Sequence, residues 1–417
     1  MKKIIILISI VFISVFSFGQ EKADYDDALD KFRTYYNQSQ PDSIFNMFSD
    51  RIKEIMTLNK TTQSFNQLHI FYGDILSFEP QDTSKGYYMF KTEFTKTTVT
   101  LIVSLNKELK FEALRFVPDK DAIKDTTKTN FEYEAPAGKI KGILTVPQTN
   151  NKIPVVLIIA GSGPTDKNGN SHLGVKANEY KMIADSLFNA GIACLRYDKR
   201  GVGESVEAMK DQENLSFDDY VSDVVGLIKK LNEDSRFNKV IVLGHSEGSL
   251  IGMIAAQKAK TDKFISLAGA GDRVDVLITK QLSETSKELS IKAEPIFDSL
   301  LNGYKVKNID SDLITVFQPA IQNYLISWLH YNPQTEIKKL KIPILILQGS
   351  TDIQVSVDDA EKLHVANSKS TLKIITGMNH ILKKAPQNRI ENLNTYSKPT
   401  LPLAPVLMPE IIKFIEQ

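Results

Sequence analysis

Ser246, Asp352 and His380 are side chains that could together make a nucleophile, and each follows an apolar run. Ser246 lies in VIVLGHSEGSL (240–250), where the run stops at Gly-His-Ser-Glu-Gly. Strands covered on both faces read as continuous Val/Ile/Leu runs, which accounts for the apolar half. The glycines suit a sharp turn from strand end to helix start, in which the serine is strained and bulky residues at 244 or 248 would collide with neighbouring elements. Such a turn lifts a hydroxyl clear of the sheet. A glycine-rich turn with an incidental serine shows the same five residues, so the reading depends on two further side chains. IPILILQGS ends just before Asp352, and TLKIITG leads into Gly-Met-Asn-His at His380. A serine hydroxyl is a poor nucleophile until a base takes its proton; His380 could do that while Asp352 holds the imidazole in the right tautomer. Asp272, after KFISLAGAG, is the alternative acid.

These residues need a scaffold. From residue 131 onward, strands such as PVVLIIAG (154–161), GIACLRYD (191–198), KVIVLGHS and KFISLAGA alternate with amphipathic helices. One helix is expected near 176–189, closed by Gly191; another starts at a capping box of Ser216 and Asp219 and carries Val221, Val224, Val225, Ile228 and Leu231. The alternation implies an α/β domain with a mostly parallel sheet, whose chemistry gathers at the carboxyl ends of the strands. The chain order Ser, Asp, His suits that architecture. From about 272 to 339 the strands pause for a helical stretch, expected to form a cap over the sheet edge. Trp328 and Tyr331 within it could line an acyl pocket or be cap core.

Before this domain, residues 24–118 read as a small α+β unit: helices in ADYDDALDKFRTYYN and PDSIFNMFSDRIKEIMT, then an antiparallel meander in 86–117. Tyr35, Tyr36, Phe45 and Phe48 are expected to be its core. Residues 119–130, rich in Lys, Asp and Thr, read as a linker. Residues 1–19 have a basic start, an apolar stretch and small residues at Ser17 and Gly19, the pattern of a secretory signal peptide, so a secreted or periplasmic protein with no remaining membrane span is expected. Lys plus Arg is 51 against 50 for Asp plus Glu, which argues against a nucleic-acid partner. The single cysteine, Cys194, sits in an apolar segment and suits a buried structural thiol. His69, His172, His330 and His364 read as surface or structural groups, and no spacing of His, Cys or carboxylates implies a metal or another cofactor.

The elbow, QGSTD and GMNH resemble the α/β-hydrolase superfamily. More narrowly, AGSGPTDKNGN (160–170) and YDKRGVGES (197–205) resemble a secreted carboxylesterase branch related to serine-aminopeptidase-like hydrolases, some members of which carry an NTF2-like N-terminal α+β domain. The resemblance implies an oxyanion hole of backbone N–H groups from Glu247 and Ser162, with Gly163 able to help. It also implies ester hydrolysis through an acyl-serine, on short or medium acyl chains. Lys167 stands where Arg is usual, and Ser249 where a further glycine is common. Asp198 and Arg200 suit loop anchors. Two other readings stand beside the esterase. One is a peptidase removing N-terminal residues, for which Glu284, Glu288, Asp310 and Asp312 could hold a substrate ammonium; the other is a non-catalytic binding module.

Overall fold

A computed structural model describes residues 22–84, 87–95, 97–118 and 127–417; the expected signal peptide and residues 119–126 of the expected linker lie outside them. The chain divides into two compact units, with the boundary after Thr126.

In the first unit, α1 (Lys22–Asn37) buries Tyr25, Ala28, Leu29, Phe32 and Tyr36, one face of a 3.6-residue period. The stretch expected as one helix over 41–57 is two, α2 (Pro41–Asn46) and α3 (Asp50–Ile55). The break has a local cause. Phe111 N–H donates to Met47 O and Ser49 N–H donates to Phe111 O, so the backbone here pairs with a strand, and Ser49 Oγ caps α3. A further helix, α4 (Leu58–Tyr72), is capped by Thr57 and buries Phe65, Leu68 and Tyr72. Strands β1 (Ile75–Ser84), β2 (Tyr87–Phe94), β3 (Thr98–Leu105) and β4 (Phe111–Pro118) form an antiparallel meander in that order. The core is aromatic: Phe32 meets Phe65, Phe111 and Phe116 with ring centroids 5.5–6.2 Å apart. Tyr36 and Phe48 belong to that core, whereas Tyr35 and Phe45 are half-buried.

The second unit is a doubly wound sheet. Its strands are β5 (Thr127–Ala135), β6 (Gly138–Val146), β7 (Ile153–Ile159), β8 (Ala193–Tyr197), β9 (Phe237–His245), β10 (Lys263–Leu267), β11 (Ile344–Gly349) and β12 (Thr371–Ile375), in the spatial order β12-β11-β10-β9-β7-β8-β6-β5. Pairing is parallel from β12 through β8 and antiparallel at β8-β6 and β6-β5. Strands β8, β10 and β11 are buried along their whole length, as expected of mostly apolar strands covered on both faces. The expected linker ends early: Thr127–Asn130 are already strand, paired with Ile143–Val146. A polar start suits β5, which is the last strand in the order of this sheet.

Helices α5 (Glu179–Asn189), α6 (Phe217–Glu233) and α7 (Glu247–Lys258) follow β7, β8 and β9. The capping box of α6 is formed on both sides, Asp219 N–H to Ser216 Oγ at 3.3 Å and Ser216 N–H to Asp219 Oδ2 at 2.9 Å. Between β10 and β11 run α8 (Val274–Thr285), α9 (Lys287–Leu301), α10 (Ile314–Phe317), α11 (Gln322–Leu329) and α12 (Pro333–Lys339), the expected helical insertion. It has a core of its own around Phe297, Leu300, Leu313, Phe317 and Leu325. It is tied to the carboxyl side of the sheet by Ser327 Oγ, which accepts from Phe217 N–H at 2.7 Å, and by Gln334 Nε2, which donates to Gly271 O at 3.0 Å. The chain closes with α13 (Val357–Ala366), α14 (Arg389–Leu393) and α15 (Leu407–Glu416). No helix among the described residues is long and apolar enough to cross a membrane.

Candidate active site

Ser246 sits between β9 and α7 with φ 54° and ψ −123°, a conformation that L residues avoid and that a sharp elbow enforces. The flanking glycines are required by backbone, not by side chains. A Cβ on Gly248 would lie 2.4 Å from Ile159 O and 2.6 Å from Ala160 O, and one on Gly244 would lie 2.2 Å from Gly248 O. Gly248→Ala is therefore expected to cost about 3 kcal/mol or more, at the upper end of overpacking penalties, because two main-chain carbonyls of a central strand cannot step aside. Urea unfolding of the variant checks this through its midpoint. Ser249, the departure at the next position, is buried and shares a 2.7 Å hydrogen bond with Ser266 Oγ on β10, so its hydroxyl has a partner that glycine would not need.

His380 lies in the loop after β12 and Asp352 in the loop after β11. The structure brings them together: His380 Nδ1 is 2.8 Å from Asp352 Oδ2. The carboxylate is fully buried and all its oxygen capacity points inward. Oδ1 accepts from the amides of Gln354 (2.8 Å) and Val355 (3.0 Å), and Oδ2 accepts from Gln348 Nε2 (3.1 Å) as well as from His380. Burial pushes the Asp352 carboxyl up, but the His380 charge and hydrogen bond, with the Val355 and Gln354 amides, outweigh it and hold the group below the ordinary value. Asp272, the alternative acid, is elsewhere, in a 2.7 Å ion pair with Lys362.

His245 and Tyr180 lock the serine and histidine loops to each other. Gly161 N–H donates to Tyr180 Oη at 3.1 Å, Tyr180 Oη donates to His245 Nδ1 at 2.7 Å, and His245 Nε2 donates to the carbonyl of His380 at 2.9 Å. His245 Nε2 faces a carbonyl and so carries a proton, which leaves Nδ1 of the neutral ring to accept from Tyr180 Oη. Burial above all, then the proximity of His380, pulls His245 down to about 3, so the ring stays neutral beside the base. Its position in the elbow was legible in the sequence; Tyr180, in the first turn of α5, carried no signal beyond that of a core aromatic.

The loop after β7 places Ser162 and Gly163 at the surface, with Gly163 at φ 73°. Gly161 runs against the nucleophile, since a Cβ there would be 3.1 Å from Ser246 Cβ. Glu247 opens α7, and its side chain is buried. Anchors for the loop come from the strand end at 197–200. Asp198 Oδ1 accepts from Lys167 N–H, Asp198 Oδ2 pairs with Lys167 Nζ at 2.7 Å, and Arg196 reaches Lys167 O at 3.3 Å. Lys167, standing where Arg was expected, forms ion pairs with Asp198 and Glu204. Arg200 grips Asp223 and Asp219 of α6. Both residues expected to be anchors are anchors.

Trp328 stacks on Phe217 (centroids 5.6 Å, 15° between planes), and Tyr331 packs on the same ring while bonding Asp218. Both are half-buried and pack the end of α11 and the residues after it against the start of α6. The acids considered for an ammonium site are exposed, and Glu284 pairs with Arg389 while Glu288 and Asp310 share Lys292. His69 binds Asp74 and His364 binds Ser370, while His172 and His330 are exposed. Cys194 is buried, and burial pushes its thiol up to about 12, far from a reactive thiolate.

A doubly wound sheet with a strained serine elbow after β9 and an Asp-His pair in the loops after β11 and β12 is an α/β hydrolase. The chain belongs to the family described as Serine aminopeptidase, S33, whose model matches residues 172–386, more than half of it. Residues 30–114 match a second family, described as Protein of unknown function (DUF3887). Esterase EstD of Thermotoga maritima is 26% identical over 396 residues, covering 89% of this chain and 91% of that one. Among solved structures, the alpha/beta hydrolase GrgF from Penicillium sp. sh18 aligns with a TM-score of 0.46 at 15% identity, covering 69% of this chain and 97% of that one. Est1E from Butyrivibrio proteoclasticus aligns at 0.44 and 15%, covering 69% and 99%.

Proposed function

We propose that this protein is a serine hydrolase that cleaves carboxylic esters of short to medium acyl chains through an acyl-Ser246 intermediate. The observation that carries the reading is the strained elbow at Ser246 together with the 2.8 Å contact between His380 Nδ1 and Asp352. With Nδ1 committed to the carboxylate, Nε2 is the nitrogen that takes the Ser246 proton. The serine oxygen attacks the ester carbonyl, the Glu247 and Ser162 amides receive the developing oxyanion, and His380 returns the proton to the departing alcohol. Water then repeats the sequence against the acyl-enzyme. The likeness to a protein named as an esterase supports ester over peptide substrates. The family description favours the second reading, removal of N-terminal residues. Against it, three of the four cap acids that could hold a substrate ammonium are already paired with Lys292 or Arg389 on the surface. The basic start and apolar stretch of residues 1–19 support a location outside the cytoplasm.

The test is a panel of nitrophenyl esters from acetate to palmitate beside aminoacyl and dipeptidyl nitroanilides. Ester turnover that peaks at short or medium chains and far exceeds anilide turnover is expected. Faster anilide cleavage would replace the esterase with the peptidase, and no turnover of either panel would favour a binding role.

A further inference from the structure

Lys199 is among the largest side chains buried in the protein, 1% exposed, and nothing in the acid-base chemistry above uses it. An ammonium has three hydrogens to place. Here each has a destination: the carbonyl of Gly161 at 2.6 Å, Glu247 Oε1 at 3.5 Å, and the face of Tyr220, 5.0 Å to the ring centroid. Two of these partners adjoin the candidate oxyanion donors. The peptide that joins Gly161 to Ser162 is planar and trans, so its C=O and N–H point in opposite directions. Clamping the Gly161 carbonyl therefore aims the Ser162 N–H, and the positive charge on the carbonyl side makes that N–H a stronger donor. The other donor is the backbone of Glu247, whose buried carboxylate sits on the same ammonium. Gly161 is fixed at its other end too, by its N–H to Tyr180 Oη.

We propose that Lys199 is the positioning residue of the oxyanion hole, one buried cation that orients the Ser162 amide through the Gly161 carbonyl and holds the start of α7 through Glu247. The proposal rests on the serine-hydrolase reading. Its effect belongs to the transition state, because an amide aimed at the oxyanion contributes little to a ground-state carbonyl. Loss of a whole oxyanion donor costs about 10²–10³ in kcat, and misaiming one is expected to cost about 10–100-fold.

The experiment compares wild type with Lys199→Met, which keeps the apolar stem, and with Lys199→Met/Glu247→Gln, which leaves no buried carboxylate unpaired. A fluorophosphonate end-point titration counts reactive serines first. If wild type neither labels at Ser246 nor turns over esters, the hydrolase reading itself fails, and it fails before the variants are compared. In unlabelled enzyme, kcat per titrated serine should fall about 10–100-fold in both variants with KM changed less than about threefold. Affinity for a trifluoromethyl ketone, whose adduct puts an oxyanion in the hole, should fall by the same factor as kcat. A kcat within threefold of wild type in the double variant, or a lost kcat with unchanged ketone affinity, would overturn the proposal.

Discussion

Ser246→Ala is expected to lower kcat for a nitrophenyl ester about 10⁶-fold, the loss seen when the nucleophile of such a triad is removed, with little change in stability. The size follows from the mechanism: without Oγ no acyl-enzyme forms, and what remains is the catalysis that the oxyanion amides give to attack by water. The small effect on folding follows from the geometry. The strain at Ser246 is in φ and ψ, set by β9, by α7 and by the Ser246 N–H bond to Leu267 O, and alanine has the same Cβ and the same backbone. Turnover is measured in single-turnover and steady-state assays, and stability by urea unfolding. Residual activity within tenfold of wild type would mean that another side chain is the nucleophile.

Much of this site was legible because its residues sit where the period of the chain changes. An apolar strand that stops at Gly-His-Ser-Glu-Gly announces both the strand and the elbow, and the same is true of IPILILQGS before Asp352. The structure adds the contact between Asp352 and His380, which lie 28 residues apart in sequence, and it separates Asp352 from Asp272, which no local pattern could do. Lys199 and Tyr180 were illegible for a different reason. A lysine in a polar run reads as surface, and a tyrosine at a helix start reads as core; their roles come from the Gly161 peptide passing between them, a tertiary fact.

The fold follows the same division. Strands β7 to β11 announce themselves because burial on both faces favours mostly apolar runs. The β5-β6 hairpin does not, since edge pairing tolerates Thr, Lys and Asn at 127–130, and these merged with the polar stretch before them. Helix α4 was hidden by low intrinsic propensity: Asn, Thr and Ser fill LNKTTQSFNQ, and packing of Phe65, Leu68 and Tyr72 into an aromatic core makes it helical. The split between α2 and α3 depends on Phe111, some sixty residues away in sequence.

Asp352→Asn is the more discriminating test of the triad, because it alters a proton position with almost no change of shape. The replacement amide has one acceptor and one donor end. The Gln354 and Val355 N–H groups claim the acceptor, which puts the new NH₂ where Oδ2 was, facing His380 Nδ1. A donor there is matched only if Nδ1 becomes the acceptor, so the imidazole proton moves to Nε2 and the ring can no longer take a proton from Ser246. A fall of about 10⁴-fold in kcat is expected, smaller than for Ser246→Ala because a minor population keeps the productive tautomer. A pH signature accompanies it. The Asp352 carboxyl is held below its ordinary value in the folded protein, so its ionised form stabilises the fold above the unfolded pKa of about 3.9, and this contribution is lost as pH falls through the lower folded value. The variant has no such group, so the stability gap between it and wild type should be constant near neutrality and close in acid below about pH 4. Urea midpoints taken across that range measure the gap. A gap that stays open in acid would mean that the wild-type carboxylate draws nothing from His380 and the two loop amides.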